Sequence, residues 1–387
     1  MPAAFTDPTA LKLAGDGNTD DGPALQHLFD QAGTIRIPPD TYRVGQTLRL
    51  RSRTRLLAHP QATFVYADGA GQDHTSYLLT NADPDGGDHD IEIRGGTWDG
   101  NNPGNRRNLS NLLDTGNYSG VMIHFRNIKN LTFGDALLTD AESYFFRGVE
   151  LDRFTIEDLK FHASHPRPNN DGVHLTGGCH HGIIRRLTGL GPLAPNDDMV
   201  ALNADDALQR TECQGGTNGP ITDITVSQLR ADQCHSFVRA LSVQSPLERI
   251  DLDDIEGGCT SSVLNMDGAR GCRVQVFDDT DPRFANGVGN CRDIRLSRVR
   301  AWAARVGGNH PLLNLAQHAD GLEVRDFTRA LERDGAPDAP TLAVAHAPGH
   351  RLTINDQPTQ TLAHDDRLES NNPVLHRVRL DGPSSTD

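Results

Sequence analysis

The chain has 387 residues, 36% of them apolar, with 38 glycines and 22 prolines, which is ample for a large core. Its formal net charge of −15 disfavours nucleic acid and anionic membrane surfaces as partners. No stretch approaches 18 consecutive apolar residues, so no membrane-spanning helix is expected.

The first residues, Met1 to Pro8, lack both a basic region and an apolar run. The expectation is a cytoplasmic protein, or a secreted one whose signal peptide is not part of this sequence. Six cysteines, Cys179, Cys213, Cys234, Cys259, Cys272 and Cys291, show no zinc-ligand spacing and read as mostly free, partly buried thiols.

Residues 1–14 read as an extension. In Gly15 to Pro23, Asp20 or Asp21 suits a helix N-cap and Pro23 the first helical turn. Ala24, Leu25, Leu28, Phe29 and Ala32 share one helical face, and Gly33 stops the helix. Period-two strands follow at 34–44 and 47–50. This opening, Gly15-Asp16-Gly17-x-Thr19-Asp20-Asp21, then a helix, then Ile37-Pro38-Pro39-x-x-Tyr42-x-Val44, resembles that of the pectate-lyase-like right-handed β-helix proteins. In those, a short amphipathic helix caps the coil stack.

From Ile91 onward an apolar-x-apolar unit recurs, ending at Ile93, Phe133, Ile156, Ile184, Val226, Leu252, Leu296, Val324 and Ile354. The steps are 40, 23, 28, 42, 26, 44, 28 and 30 residues. Steps of 23 to 30 fit one coil; those of 40 to 44 fit two coils, or one coil with a long loop. Such a period signals an array. Trp-Asp blade signatures of a propeller are missing, so the expectation is an all-β, single-domain right-handed parallel β-helix of roughly ten coils over residues 15–380. Gly, Asn and Asp are expected at the corners. Residues 381–387 read as a flexible tail.

The chemistry concentrates between Asn169 and Asp206. Asn169-Asn170-Asp171-Gly172 and Asn196-Asp197-Asp198-Met199 place acids 27 residues apart, about one coil. Equivalent positions of adjacent coils lie one strand spacing apart, so Asp171, Asp197 and Asp198 can project onto one face. Like charges so close raise at least one pKa, giving a proton donor near neutral pH while the others stay ionised and activate water. Glycoside hydrolysis needs that division of labour. Any one of these Asp residues would, alone, read as a corner residue.

Asn169-Asn170-Asp171-Gly172-Val173-His174-Leu175 is similar to the N-T-D-G motif of the polygalacturonase-type enzymes of glycoside hydrolase family 28. Asn196-Asp197-Asp198-Met199-Val200-Ala201-Leu202-Asn203 is similar to their D-D-C-V-A-[VI]-N motif. The resemblance implies an inverting glycosidase with Asp197 as general acid, and with Asp171 and Asp198 holding and deprotonating water. It implies no cofactor and no metal.

Two motifs depart. The G-H-G region here reads Gly215 to Pro220 without histidine, and His235 is the nearest substitute. Arg239 matches the arginine of R-I-K, but Leu241 stands at the lysine, so the usual two-cation grip on a substrate carboxylate lacks one partner. A neutral sugar or a singly held uronide fits.

Further candidate substrate contacts are Asn170, His174, Asn203, Glu142, Tyr144, Asn265 and Asp267, with Arg270 nearby. Arg147 reads equally well as the partner of Glu142. The histidines 162, 165, 180 and 181 read as surface or corner residues, and Trp98 as corner packing. The expected partner is an oligo- or polysaccharide, cleaved in exo fashion, with long loops at 101–120 and 277–290 closing one end of the groove. Two other readings stay open: a β-helix polysaccharide lyase or epimerase, and a non-enzymatic carbohydrate-binding or tailspike-like β-helix.

Overall fold

In the computed structural model, residues 11–110, 114–206, 212–213, 216–268, 289–305, 310–317, 319–344, 368–370 and 379–380 are described. The strand expected at 352–354, the tail at 381–387, Arg270, Cys272 and all but the last two residues of the 277–290 loop lie outside them.

The helix spans Gly22–Phe29, with Pro23 at its start, and buries Leu25 and Phe29 against the first coil. The capping acids work outward. Asp21 sits at the N-cap but makes no side-chain cap bond; its carboxylate accepts the backbone N–H groups of Ala14 and Gly15 at 2.6 and 3.0 Å. Asp20 accepts those of Gly22 and Gly45, and so ties the helix start to the next strand.

After it come parallel strands that pair coil on coil. One interior ladder runs Ile35, Leu56, Ile93, Phe133, Ile156, Ile184, Val226, Leu252, Leu296 and Val324, each opposite the next in register. All ten side chains are buried. Each coil thus hides an apolar face it could not hide alone, the reason such arrays fold as stacks.

The register also resolves the long steps. Ile93 pairs directly with Phe133, Ile184 with Val226, and Leu252 with Leu296. Each is a single coil carrying a long loop. Gly182 is required inside the stack, because a Cβ there would lie 2.1 Å from the Phe154 ring of the preceding coil.

The corners differ in part from expectation. Left-handed backbone recurs just before the apolar ladder at Asp90, Asn130, Arg153, His181, Asp223, Arg249 and Asp293, and just after it at Asp135, Asp158, Arg186, Gln228, Asp254, Arg298 and Asp326. Arginine in this conformation costs about 1 kcal/mol or more. Several of these arginines clamp an acid of the coil below. Arg249 pairs with Asp223 at 2.7 and 2.8 Å, and Arg186 with Asp158 at 2.7 and 2.6 Å. Corner arginines thereby form ion-pair columns down the outside of the rod.

Trp98 is fully buried, stacked 4.2 Å from Phe64. Cys179, Cys234, Cys259 and Cys291 are buried free thiols; the Cys213 side chain lies outside the described residues. Among the described residues no helix is long and apolar enough to cross a membrane.

Candidate active site

The acids arrive on successive coils. Val173–Thr176 pairs with Asp198–Asn203, which pairs with Ser236–Leu241. Register places Ser236 opposite Asp198, so His235 stacks one coil beyond Asp197. Asp171 lies just before the first of these strands. Gly172 permits the close passage, since a Cβ there would come 2.6 Å from the Met199 carbonyl and 3.0 Å from Phe161.

Asp171 and Asp198 are buried, whereas Asp197 keeps a side-chain exposure of 23%. Burial pushes the carboxyl of Asp171 well above its ordinary range, and the charge of Asp197 adds to this. Asp198 rises for the same reasons, with Asp171 as a further like charge. Burial acts the same way on Asp197, but His235 and Arg239 outweigh it and hold its carboxyl below the usual range. The His235 Nδ1 lies 3.4 Å from Asp197 Oδ1, and that contact holds its imidazolium above the ordinary histidine value. His235 and Asp197 thus form an ion pair beside two buried carboxyls that are both biased toward protonation.

His174 points its Nδ1 at Asp171 Oδ2, 2.6 Å away, and stacks on the half-buried Tyr144 ring at 4.1 Å. Burial, aided by Arg147 and Arg239, pushes its pKa down to about 3, so the ring is neutral and one proton lies between it and Asp171. His174 is buried, its side chain 7% exposed, between Tyr144 and Asp171, so of this pair only the half-buried Tyr144 has surface left.

Arg239 stands in register with Ala201 on one side and Asn265 on the other. Its fork meets Asp267, with Nε to Oδ1 at 2.9 Å and Nη2 to Oδ2 at 3.3 Å. Asn265 accepts an amide hydrogen bond from Asn314 at 2.8 Å. Asn203 lies further along the acid strand, half-buried, opposite Thr176 and the buried Leu241.

Two expected substrate contacts are corrected. Asn170 is completely buried and donates to the carbonyls of Ala141 and Ser143 at 3.2 and 2.7 Å, so it staples coils instead of facing the groove. Its neighbour Asn169 approaches Asp197, 3.5 Å from Nδ2 to Oδ2. Glu142 has no exposed side-chain surface. It is held by Arg167 at 2.9 and 2.8 Å and by Arg106 at 3.3 Å, with Arg107 Nε 3.8 Å away.

Sequence reasoning missed Arg107. It donates to the Pro168 carbonyl and, at 3.3 Å, to Asn169 Oδ1, and so ties the 101–110 loop to the turn that carries Asp171. The pair Arg106-Arg107 in a Gly- and Asn-rich loop was its signal. Arg147 is buried and donates to Thr176 at 3.2 Å; Glu142 is not its partner among these contacts.

One oxygen or nitrogen each of Asp197, Asp198 and His235 lie within 4.8 Å of one another, a spacing that a cation could also use. Of the other histidines, His181 occupies a corner and pairs with Asp152 at 2.9 Å, and His180 bonds Thr222.

No family model matches the chain. It is 22% identical over 169 residues to an exopolygalacturonase of Arabidopsis thaliana, which is 44% of this chain and 34% of that protein. The match therefore spans about a third of that relative's length. A family 28 exopolygalacturonase of Yersinia enterocolitica superposes with a TM-score of 0.58 and 14% identity, over 98% of this chain and 76% of that one. PfbA, a surface adhesin of Streptococcus pneumoniae, gives 0.53 and 13%, over 84% and 85%. The fold is a right-handed parallel β-helix. At 14% and 13% identity these likenesses show the fold alone.

Proposed function

We propose that the chain is an inverting glycoside hydrolase of the polygalacturonase type, acting from one end of an oligo- or polysaccharide. The observation that carries this reading is the split among three carboxylates on adjacent coils: two buried and biased toward protonation, one partly exposed and paired to a histidine. The names of two similar proteins, both exopolygalacturonases, agree with it.

In this mechanism Asp197 protonates the glycosidic oxygen. A sugar seated in the groove excludes water, and a drier setting favours the neutral form of an Asp–His pair over the ionic one. Substrate binding thus moves the proton from His235 onto Asp197. Asp171 and Asp198 are both biased toward protonation by burial and neighbouring acids; one of them keeps its proton, and the other, ionised, accepts the proton of the attacking water. Attack from the opposite face inverts the anomeric carbon. End-on action would have the 101–110 loop, tied down through Arg106 and Arg107, bound the substrate on the side of the earlier coils.

The test is product analysis on pectic and neutral oligosaccharides. Single terminal residues released from the start of digestion support end-on action. Random mid-chain cleavage contradicts it, and an ultraviolet-absorbing unsaturated product would replace hydrolysis by a lyase reaction.

A further inference from the structure

We propose that the Arg239–Asp267 pair makes the subsite beside the acids select a neutral sugar and reject a uronate; this rests on the hydrolase reading. Arg239 is the cation that the sequence pattern offers for gripping a sugar carboxylate. The fold spends it otherwise. Its Nε and Nη2 meet both oxygens of Asp267 on the next coil, at 2.9 and 3.3 Å, a bidentate match. The Asp267 side chain is only 7% exposed, against 30% for Arg239. A uronate that took the Nε–Nη2 face of the arginine would leave Asp267 enclosed and unpaired, and one that used the remaining N–H groups would share a cation already matched by a carboxylate; both are costly.

The surroundings reinforce the point. Asp171, Asp197 and Asp198 already place three acids near Arg239, and Asp267 is a fourth. Two of the guanidinium's five donors serve Asp267. The next positions of the same row are Asn265 and Asn314, bonded amide to amide at 2.8 Å. Lysine is no substitute. The chain has three, and Lys129 and Lys160 sit opposite Asp152 and Thr188 on strands away from this row, while Lys12 precedes the helix. What the row offers is donors beside acceptors: the remaining Arg239 N–H groups, the Asp267 oxygens and the amides. That set fits vicinal hydroxyl groups and gives a second carboxylate no unpaired cation.

The test compares full-length wild type, Asp267→Asn, and Asp267→Asn with Arg239→Gln. The readout is kcat/KM on matched aryl glycoside pairs, galactoside against galacturonide and glucoside against glucuronide, in both anomers, with neutral and acidic pectic oligosaccharides alongside. Thermal melts check that each variant is folded. Wild type should favour the neutral member. Asp267→Asn should move the ratio toward the uronide by on the order of tenfold, through the freed charge-assisted contact, and the double variant should lose that gain. A wild type that prefers the uronide, or a folded Asp267→Asn whose ratio is unmoved, overturns the proposal while leaving the hydrolase reading intact. If no glycoside of either class is cleaved, the hydrolase reading fails and this one with it. Should Asp267→Asn not fold, Asp267→Ser is the alternative, with the same expected direction.

Discussion

Replacing Glu142 by glutamine removes one charge and almost no volume, in a place where the charge has no water to turn to. The carboxylate has no exposed surface and takes two hydrogen bonds from Arg167, at 2.9 and 2.8 Å. Arg107 beside it is 2% exposed on its side chain. Charge-assisted hydrogen bonds contribute about 1.5–3 kcal/mol each; glutamine keeps one acceptor oxygen, so the change removes one of the two Arg167 bonds outright and the charge assistance of the other, roughly 3–4 kcal/mol. Breaking a buried pair by removing one partner gives a similar figure, about 3–5 kcal/mol. The melting temperature should fall by on the order of 5 °C or more. The damage should also reach the chemistry, because Arg107 donates to the Pro168 carbonyl and to Asn169, and Asn169 approaches Asp197. Calorimetric melts and kcat on the best substrate measure both effects. The comparison is Asp251→Asn, whose partner Arg295 is 68% exposed and whose loss should be undetectable. A Glu142→Gln protein that melts within 1 °C of wild type would refute the argument that this cluster locks the loop.

Other outcomes follow from the same electrostatics. The pH profile of kcat/KM should have an alkaline limb above 6.5, set by the proton shared between His235 and Asp197, because His235 is raised and the donor is lost as pH climbs through it. His235→Gln should move that limb down toward the range of a buried carboxylate; an unmoved limb would remove His235 from the donor. Asp198→Asn should abolish most activity, roughly 10²-fold or more, yet raise the melting temperature at pH 7. A carboxyl raised in the fold favours the native state while protonated, and that contribution is lost as pH rises through its folded value; an asparagine cannot ionise. At pH 3.5 the gain should vanish, and a gain of equal size at both pH values would point to packing instead.

Much of the architecture was legible because a β-helix writes its core into a period. The residues ending each apolar unit from Ile93 to Val324 are the ones that stack in register. The long steps were ambiguous because a loop and an extra coil consume similar lengths of chain, and only pairing tells them apart. The arginine corners were not legible. Composition predicts Gly, Asn and Asp where the backbone is left-handed, and the arginines there depend on acids a coil below that the local sequence does not show.

The acid trio was readable from spacing, whereas orientation was not. Asn169 and Asn170 are neighbours of the same type, and only the turn's backbone, left-handed at Asn169, decides which one staples the coil and which one meets Asp197. Glu142 and Arg107 were misread or missed because their meeting needs residues from separate loops, 101–110 and 163–170. Arg239 was legible as a motif residue, but its engagement by Asp267 depends on the following coil.

The central claim is that the three acids hydrolyse a glycosidic bond with inversion. Proton magnetic resonance of the first product formed, from wild type and Asp197→Asn on the best substrate of the panel, tests it most directly. The new reducing end should appear first in the anomeric configuration opposite to that of the bond cleaved, and Asp197→Asn should form it at least about 10²-fold more slowly. A first product that retains configuration, an unsaturated product, or an Asp197→Asn protein as active as wild type would contradict it.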